Sequence, residues 1–263
     1  MSDIILPTKP TKSQLVNPET LLIFGKPKIG KSTAIAGLKD CLLINLEDKV
    51  QTVDGMVMYA EDNKKLEEIL DKIIEAGCPY KYIAIDTITK LEENCLPEAT
   101  NIYRKLPIGK EWVVIKDGVE DKKSSRRFKY NNNILNLPNG SGYQFVSQAL
   151  TKVLNKIKKA APHIIFIGHV KEINLLKDGA EFTSSDLNLT GKNKQRMSAD
   201  AQAIAYMSRI GKKNYLEFKS GQDVLAGCKI KRLEGKEILI SEYDENDNLI
   251  THWDQIYIEE KTK

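Results

Sequence analysis

Eight residues, Gly25-Lys26-Pro27-Lys28-Ile29-Gly30-Lys31-Ser32, follow the apolar run Leu21-Leu22-Ile23-Phe24 and open a helix-like stretch from Ser32 to Lys39. They spell GxxxxGK[ST], and their flanks constrain the fold more than any other part of the chain. A buried strand must feed a glycine-rich turn that starts a helix. In that arrangement successive backbone N–H groups turn inward on a phosphate, and the helix N-terminus adds a positive dipole end. Lys31 is placed to reach β- and γ-phosphates, and the Ser32 hydroxyl to ligate Mg²⁺. With Thr33, these residues form a candidate cradle for ATP. A bare glycine turn between strand and helix is the alternative, disfavoured by the flanking patterns.

The rest of the first two-thirds repeats the same alternation. Cys41-Leu42-Leu43-Ile44-Asn45-Leu46 reads as a second buried strand, ending at Glu47-Asp48. Leu66, Ile69, Leu70, Ile73 and Ile74 stand at helical spacing between Asn63 and Ala76, and Gly77 and Pro79 stop that helix. Tyr82-Ile83-Ala84-Ile85-Asp86 is a third strand, followed by a helical segment through Asn101. A helix over Gln144–Lys159 and a fourth strand, His163-Ile164-Ile165-Phe166-Ile167, come later. Alternating strands and helices predict an α/β fold with a mainly parallel central sheet flanked by helices. Strands are also expected at Ala203–Ile210, Tyr215–Phe218, Cys228–Arg232, Ile238–Tyr243 and Leu249–Trp253, giving a β-rich C-terminal extension. The last two flank the turn cluster Asp244-Glu245-Asn246-Asp247-Asn248.

At 263 residues the chain has room for one large domain with modest appendages. The expected division is an N-terminal arm over 1–20, a core over 21–220 and a β-hairpin extension of the same domain over 221–263. Asp3-Ile4-Ile5-Leu6-Pro7 in the arm suits either core packing or a hook onto a neighbouring subunit. No apolar run approaches the ~18 residues of a membrane span, and the N-terminus lacks a signal-peptide pattern. Cys41, Cys78, Cys95 and Cys228 are scattered without a CxxC pair, as reduced thiols of a cytoplasmic protein would be. A net charge of +4 is too small to argue for nucleic acid by itself.

Three polar strand ends are candidates for chemistry. Asp86 follows four apolar strand residues, where a carboxylate beside a phosphate loop holds Mg²⁺. Glu47 closes the strand after the phosphate-loop helix, on the same carboxyl edge, and can orient and deprotonate the water attacking a γ-phosphate. Asp48 is its neighbour and able to exchange roles, and a solvated acidic turn is the plainer reading of both. His169, after Ile167-Gly168, can touch the γ-phosphate and sense its loss, although an isolated histidine is more often a satisfied structural residue.

Two stretches break the rhythm. Residues 105–142 read as a long loop holding Lys116, Lys122, Lys123, Arg126, Arg127, Phe128, Lys129 and Tyr130. Cations bind phosphates and Phe128 or Tyr130 stack on bases, the combination used for single strands. A second polar loop, Lys171 to Ser198, adds Lys192, Lys194 and Arg196. A charge run is usually a solvated face, so the case rests on the two stretches together.

The order of these motifs resembles the RecA-like recombinase core and, more narrowly, phage-encoded RecA-like nucleotide-binding proteins, some of them single-strand annealing recombinases. The similarity spans about Leu21 to Phe218. It implies that Glu47 of INLED is the catalytic glutamate, that Asp86-Thr87 supplies the Mg²⁺-site aspartate with its following hydroxyl, and that the two polar stretches are DNA loops. His169 takes the place of a γ-phosphate sensor that is glutamine in RecA itself, and Leu189-Thr190-Gly191 resembles the end of the second DNA loop. The family also places a neighbour's cation on the γ-phosphate, for which Lys212, Lys213 and Lys219 are candidates.

The expectation is therefore a RecA-like P-loop ATPase of phage origin acting in a bacterial cytoplasm. It would bind single-stranded DNA, form a ring or filament and promote annealing or strand exchange. A single-stranded DNA-binding protein is a further expected partner, and a membrane is not. The rival readings are a nucleotide-dependent assembly or loader ATPase acting on a protein, and a small-substrate P-loop kinase. The kinase is disfavoured because strands, not an arginine-rich helical lid, follow the core.

Overall fold

The computed structural model describes residues 13–111, 133–177, 180–219 and 224–259, together with 6, 8–10 and 221. Among these residues eleven strands form one sheet. They are β1 (Thr20–Gly25), β2 (Cys41–Asn45), β3 (Met56–Tyr59), β4 (Tyr82–Asp86), β5 (His163–Lys177), β6 (Ala180–Leu187), β7 (Ala203–Ile210), β8 (Lys213–Glu217), β9 (Gly227–Cys228), β10 (Glu237–Tyr243) and β11 (Leu249–Thr251). Their order is β11-β10-β8-β7-β1-β5-β4-β2-β3, with β6 paired to β5 and β9 to β7. From β7 to β3 every rung is parallel, whereas β8, β10 and β11 continue as antiparallel hairpins. The mainly parallel sheet with a β-rich extension is the architecture the alternation predicts.

A strand with helices on both faces must be apolar on both. In β1, Leu22 and Phe24 enter one core and Leu21 and Ile23 the other. All four are at most 1% exposed, and each contributes roughly 1.5–3 kcal/mol by leaving water. The first core packs against α2 (Asn63–Glu75), α3 (Ile88–Asn94), α4 (Leu96–Arg104) and α5 (Gly142–Ile157). The second lies under α1 (Lys31–Ala36) and the C-terminal Trp253, Ile256 and Tyr257. Leu66, Ile69, Leu70 and Ile73 form the buried stripe of α2, and Asp62 caps its start by accepting from Lys65 N at 2.7 Å.

The structure departs from the expected elements in several places. α1 ends at Ala36, before the predicted Lys39, with Gly37 as its C-cap. The helix expected after Asp86 is two helices, α3 and α4, meeting at Cys95. Met56–Tyr59 is an additional edge strand; its outward Met56 and Met58 stay exposed, so it lacks the continuous burial that marks its neighbours. The expected strand Cys228–Arg232 shrinks to Gly227–Cys228, because turns take over from Lys229.

The second polar loop is a correction. Lys171–Ser198 is a continuation of β5, the hairpin strand β6 and a helix, α6 (Gly191–Asp200). Beyond His169 the strand leaves the main sheet and pairs only with β6, so its sequence carries no core signature. Of the first basic stretch, Lys116, Lys122, Lys123, Arg126, Arg127, Phe128, Lys129 and Tyr130 all lie outside the described residues. Short 3-10 turns stand at Ile108–Glu111, Ile134–Asn136 and Pro138–Gly140. Most of the predicted N-terminal hook also lies outside them.

Candidate ATPase site

Parallel register puts the chemistry at one edge. Gly25 is level with His169 across β1 and β5, and Asn45 is level with Asp86 across β2 and β4. Because β5 runs between β1 and β4, His169 stands between the phosphate loop and the two acids. Pro27, Lys28, Gly30 to Thr33, Asn45, Glu47, Asp48, Asp86 and His169 line one cleft of about 450 Å³, together with Leu43, Thr52, Val53 and Val57. The sequence thus named most of the polar wall, but not Asn45 or Thr52.

The loop is held from within. Gly30 adopts φ 102°, a left-handed conformation open to glycine, and α1 begins at the next residue. A side chain at Gly25 would place Cβ 2.8 Å from the Met207 carbonyl oxygen, so the close approach of β7 demands glycine there. Lys31 Nζ donates to the carbonyls of Gly25 at 2.9 Å and Lys26 at 2.8 Å, which draws the ammonium into the loop's concavity. Burial lowers its pKa, and Asp86 and Glu47 pull it partly back. Lys26 itself points away, to Glu172 at 2.9 Å.

The acids differ in surroundings. Asp86 is buried and accepts a short hydrogen bond from Ser32 Oγ. Burial pushes its carboxyl above the ordinary value, outweighing the Ser32 bond and the nearby Lys31. Glu47 is more open and is fixed by its neighbours. Its backbone N–H and that of Asp48 both donate to Asn45 Oδ1, at 2.8 and 3.1 Å, shaping the turn after β2. Thr87 Oγ1 donates to Glu47 Oε1 at 2.8 Å, and His169 Nε2 reaches the same oxygen at 3.0 Å. Both contacts fall on Oε1. Thr87 also caps α3 by accepting from Lys90 N at 3.2 Å, and the Asp86–Thr87 peptide is cis.

The residues fit a Mg²⁺ ion. A serine hydroxyl and a buried carboxylate whose charge is poorly compensated adjoin at the edge of a phosphate loop, and a divalent cation would supply the missing positive charge. Among the described residues no group of three or more His, Cys, Asp or Glu forms a metal cage. Magnesium characteristically takes few protein ligands and completes its shell with phosphate and water.

Of the second basic group, Lys192 and Arg196 are exposed one turn apart on α6, while Asn193 and Met197 face inward. Lys194 is engaged by Asp186 in a short ion pair. The start of α6 is bolted to α3: buried Glu92 accepts from Thr190 N, Thr190 Oγ1 and Asn193 Nδ2. Asn188 N donates to the His169 carbonyl at 2.9 Å, so α6 and its hairpin are tied to the catalytic edge by two routes. Among the cations weighed for a neighbour's site, Lys212 pairs with Asp247 at 2.6 Å and Lys213 with Glu242 at 3.1 Å.

Three solved structures are similar over most of the chain. The RadB recombinase is 10% identical, covers 88% of this chain and 90% of its own, and has a TM-score of 0.43. A KaiC-like protein, PH0186 from Pyrococcus horikoshii OT3, is 10% identical over 89% of each chain at a TM-score of 0.40. The flagellar accessory protein FlaH from Methanocaldococcus jannaschii is 11% identical over 77% and 78% at 0.31. Such distant likeness carries no inference about residues or partners. No curated protein matches. The family model described as AAA domain matches residues 17–236, which include the whole catalytic edge. The chain belongs to the AAA domain family and is a P-loop ATPase.

Proposed function

We propose that this ATPase hydrolyses ATP with Glu47 as the base and spends the cycle on single-stranded DNA, promoting annealing or strand exchange in the manner of the phage-encoded RecA-like recombinases it resembles. The observation that carries the hydrolytic part is the pair of donors, Thr87 and His169, on one oxygen of Glu47. With Oε1 so held, Oε2 takes a proton from water as its oxygen attacks the γ-phosphorus and the bond to the β-bridging oxygen breaks. Lys31 and the loop N–H groups neutralise charge on the phosphate oxygens. Mg²⁺ held by Ser32 and Asp86 would supply further charge neutralisation. His169, bonded to Glu47 at the strand end beside the loop, adjoins the γ-phosphate position, which gives it its sensing role.

The DNA part rests on the basic residues. Lys192 and Arg196 share an exposed face of α6, and Glu92 and Asn188 tie that helix to the catalytic edge. Lys122, Lys123, Arg126, Arg127, Phe128, Lys129 and Tyr130 add charge and stacking surface, with Lys194 as a further phosphate contact once released from Asp186. Assembly into a ring or filament aligns these groups along a strand and offers a neighbour's Lys212, Lys213 or Lys219 to the γ-phosphate. A single-stranded DNA-binding protein is the natural source of such a substrate.

Salt-dependent binding of a labelled oligonucleotide, with ATPase measured alongside, tests both parts. Expected are stimulation of hydrolysis by single-stranded DNA, affinity that falls steeply with salt, and loss of binding on neutralising Lys122, Lys123, Arg126 and Arg127. Lys31→Ala should abolish turnover, and Glu47→Gln should bind ATP with little turnover. Normal hydrolysis by Glu47→Gln removes the base assignment. Absence of binding at low salt, with or without ATP, removes the DNA reading and favours a protein-directed assembly ATPase.

A further inference from the structure

A second cleft, of about 520 Å³, shares no lining residue with the one at the phosphate loop. Glu92 and Glu93 come to it from α3, Tyr143 from α5, Lys171 from β5 and Gly191 from α6. Its size is that of a small-molecule site, and the hydrolytic chemistry uses none of its residues.

Each wall has its own chemistry. Tyr143 is a large aromatic side chain left 47% exposed. Lys171 is exposed too, and its cross-strand neighbour Asp186 is already engaged by Lys194. Glu93 is paired with Lys90 at 3.0 Å. Glu92, 6% exposed, is the buried acceptor of the cleft. Its Oε1 accepts from Thr190 Oγ1 and Asn193 Nδ2, both at 2.6 Å. Its Oε2 accepts from Thr190 N at 3.0 Å and keeps capacity for a further donor. Because the Thr190 hydroxyl goes to Glu92, it does not cap α6, and the first N–H groups of that helix have no intrahelical acceptor. A Cβ at Gly191 would meet nothing within 4 Å, so the backbone there is open to an approaching anion.

An aromatic ring, a lysine beside open backbone N–H groups and a buried carboxylate match three parts of one nucleotide unit: a flat base, a phosphate and an exocyclic amino group. We propose that this cleft takes one nucleotide of a single strand. Its base stacks on Tyr143, its phosphate lies between Lys171 and the start of α6, and the base amino group donates to Glu92. This rests on the single-stranded DNA reading given above. Lys192 and Arg196, exposed on α6, continue the path for neighbouring phosphates. A carboxylate accepts from cytosine N4 and opposes the carbonyl oxygen that thymine presents there, so the cleft also confers a base preference.

Anisotropy titrations of the full chain with labelled oligo-dC and oligo-dT at low salt test this. The wild-type chain should bind oligo-dC severalfold more tightly than oligo-dT. Tyr143→Ala should weaken oligo-dC binding about tenfold, and Tyr143→Phe should retain it. Glu92→Gln should narrow the difference between the two oligomers, whereas Lys171→Ala should weaken both alike. A wild-type melting temperature verifies that each variant is folded. Should Glu92→Gln melt early, the exposed Tyr143 still decides. Equal wild-type affinity for the two oligomers overturns the inference and leaves the DNA reading standing, and so does unchanged binding by Tyr143→Ala. Free dCMP competing as well as the oligomer would make this a mononucleotide site and overturns the strand assignment. A wild-type chain that binds neither oligomer overturns the DNA reading as well.

Discussion

Thr87→Val separates holding the proposed base, Glu47, from holding the substrate. Valine matches threonine in shape, and Thr87 is 1% exposed, so the change removes a hydroxyl without opening a cavity. That hydroxyl has two tasks: it accepts from Lys90 N at the start of α3, and it donates to Glu47 Oε1. Losing the cap costs about 1 kcal/mol, which lowers the melting temperature by roughly 2–4 °C in a chain of this size. A hydrogen bond to a carboxylate contributes about 1.5–3 kcal/mol when dry. The Glu47 side chain is 38% exposed, so water replaces part of it. A residual effect of about 1.4 kcal/mol corresponds to a tenfold fall in kcat. KM for ATP should stay within about twofold, since the role proposed for Glu47 is on water rather than on nucleotide. Steady-state phosphate release with a thermal melt reads both effects. Thr87→Ser should retain both bonds and most activity. Because His169 donates to the same oxygen, the loss in a Thr87→Val, His169→Ala double variant should differ from the product of the single losses. A folded Thr87→Val protein with wild-type kcat refutes the clamp, as does a raised KM at unchanged kcat.

Two further outcomes follow from the buried groups. Burial raises the Asp86 pKa in the folded chain, so its ionised form costs stability as pH rises through that elevated value, and the cost vanishes below the ordinary carboxylate range. Asp86→Asn should therefore raise the nucleotide-free melting temperature at pH 7–8, with the gain shrinking to nothing in acid; a gain independent of pH refutes the assignment. Burial also pushes the Cys41 and Cys95 thiols up to about 12. Alkylation at pH 8 followed by mass spectrometry should label Cys78 and Cys228, which are only partly buried, well before Cys41 and Cys95, and equal labelling rates in the native protein would contradict that burial.

Local pattern and tertiary structure contributed differently to this site. Gly25–Ser32, Glu47 and Asp86 were legible because each sits at the end of an apolar run whose burial on both faces leaves a continuous signature. The same logic fails past His169, where β5 leaves the sheet and pairs with β6 alone, so a hairpin and helix read as a polar loop. It also fails at Met56–Tyr59, an edge strand with one open face.

The sequence by itself determined that a phosphate loop joins a strand to a helix, and which acids end neighbouring strands, since those features depend on residues adjacent in the chain. Only the tertiary structure decided that β5 runs between β1 and β4, bringing His169 and Thr87 onto one oxygen of Glu47. It likewise decided that Glu92, Tyr143 and Gly191, from three helices, line one cleft. Strand order is set by long-range packing of faces, to which no local period corresponds, and so the partners of Glu47 become visible only when the sheet is assembled.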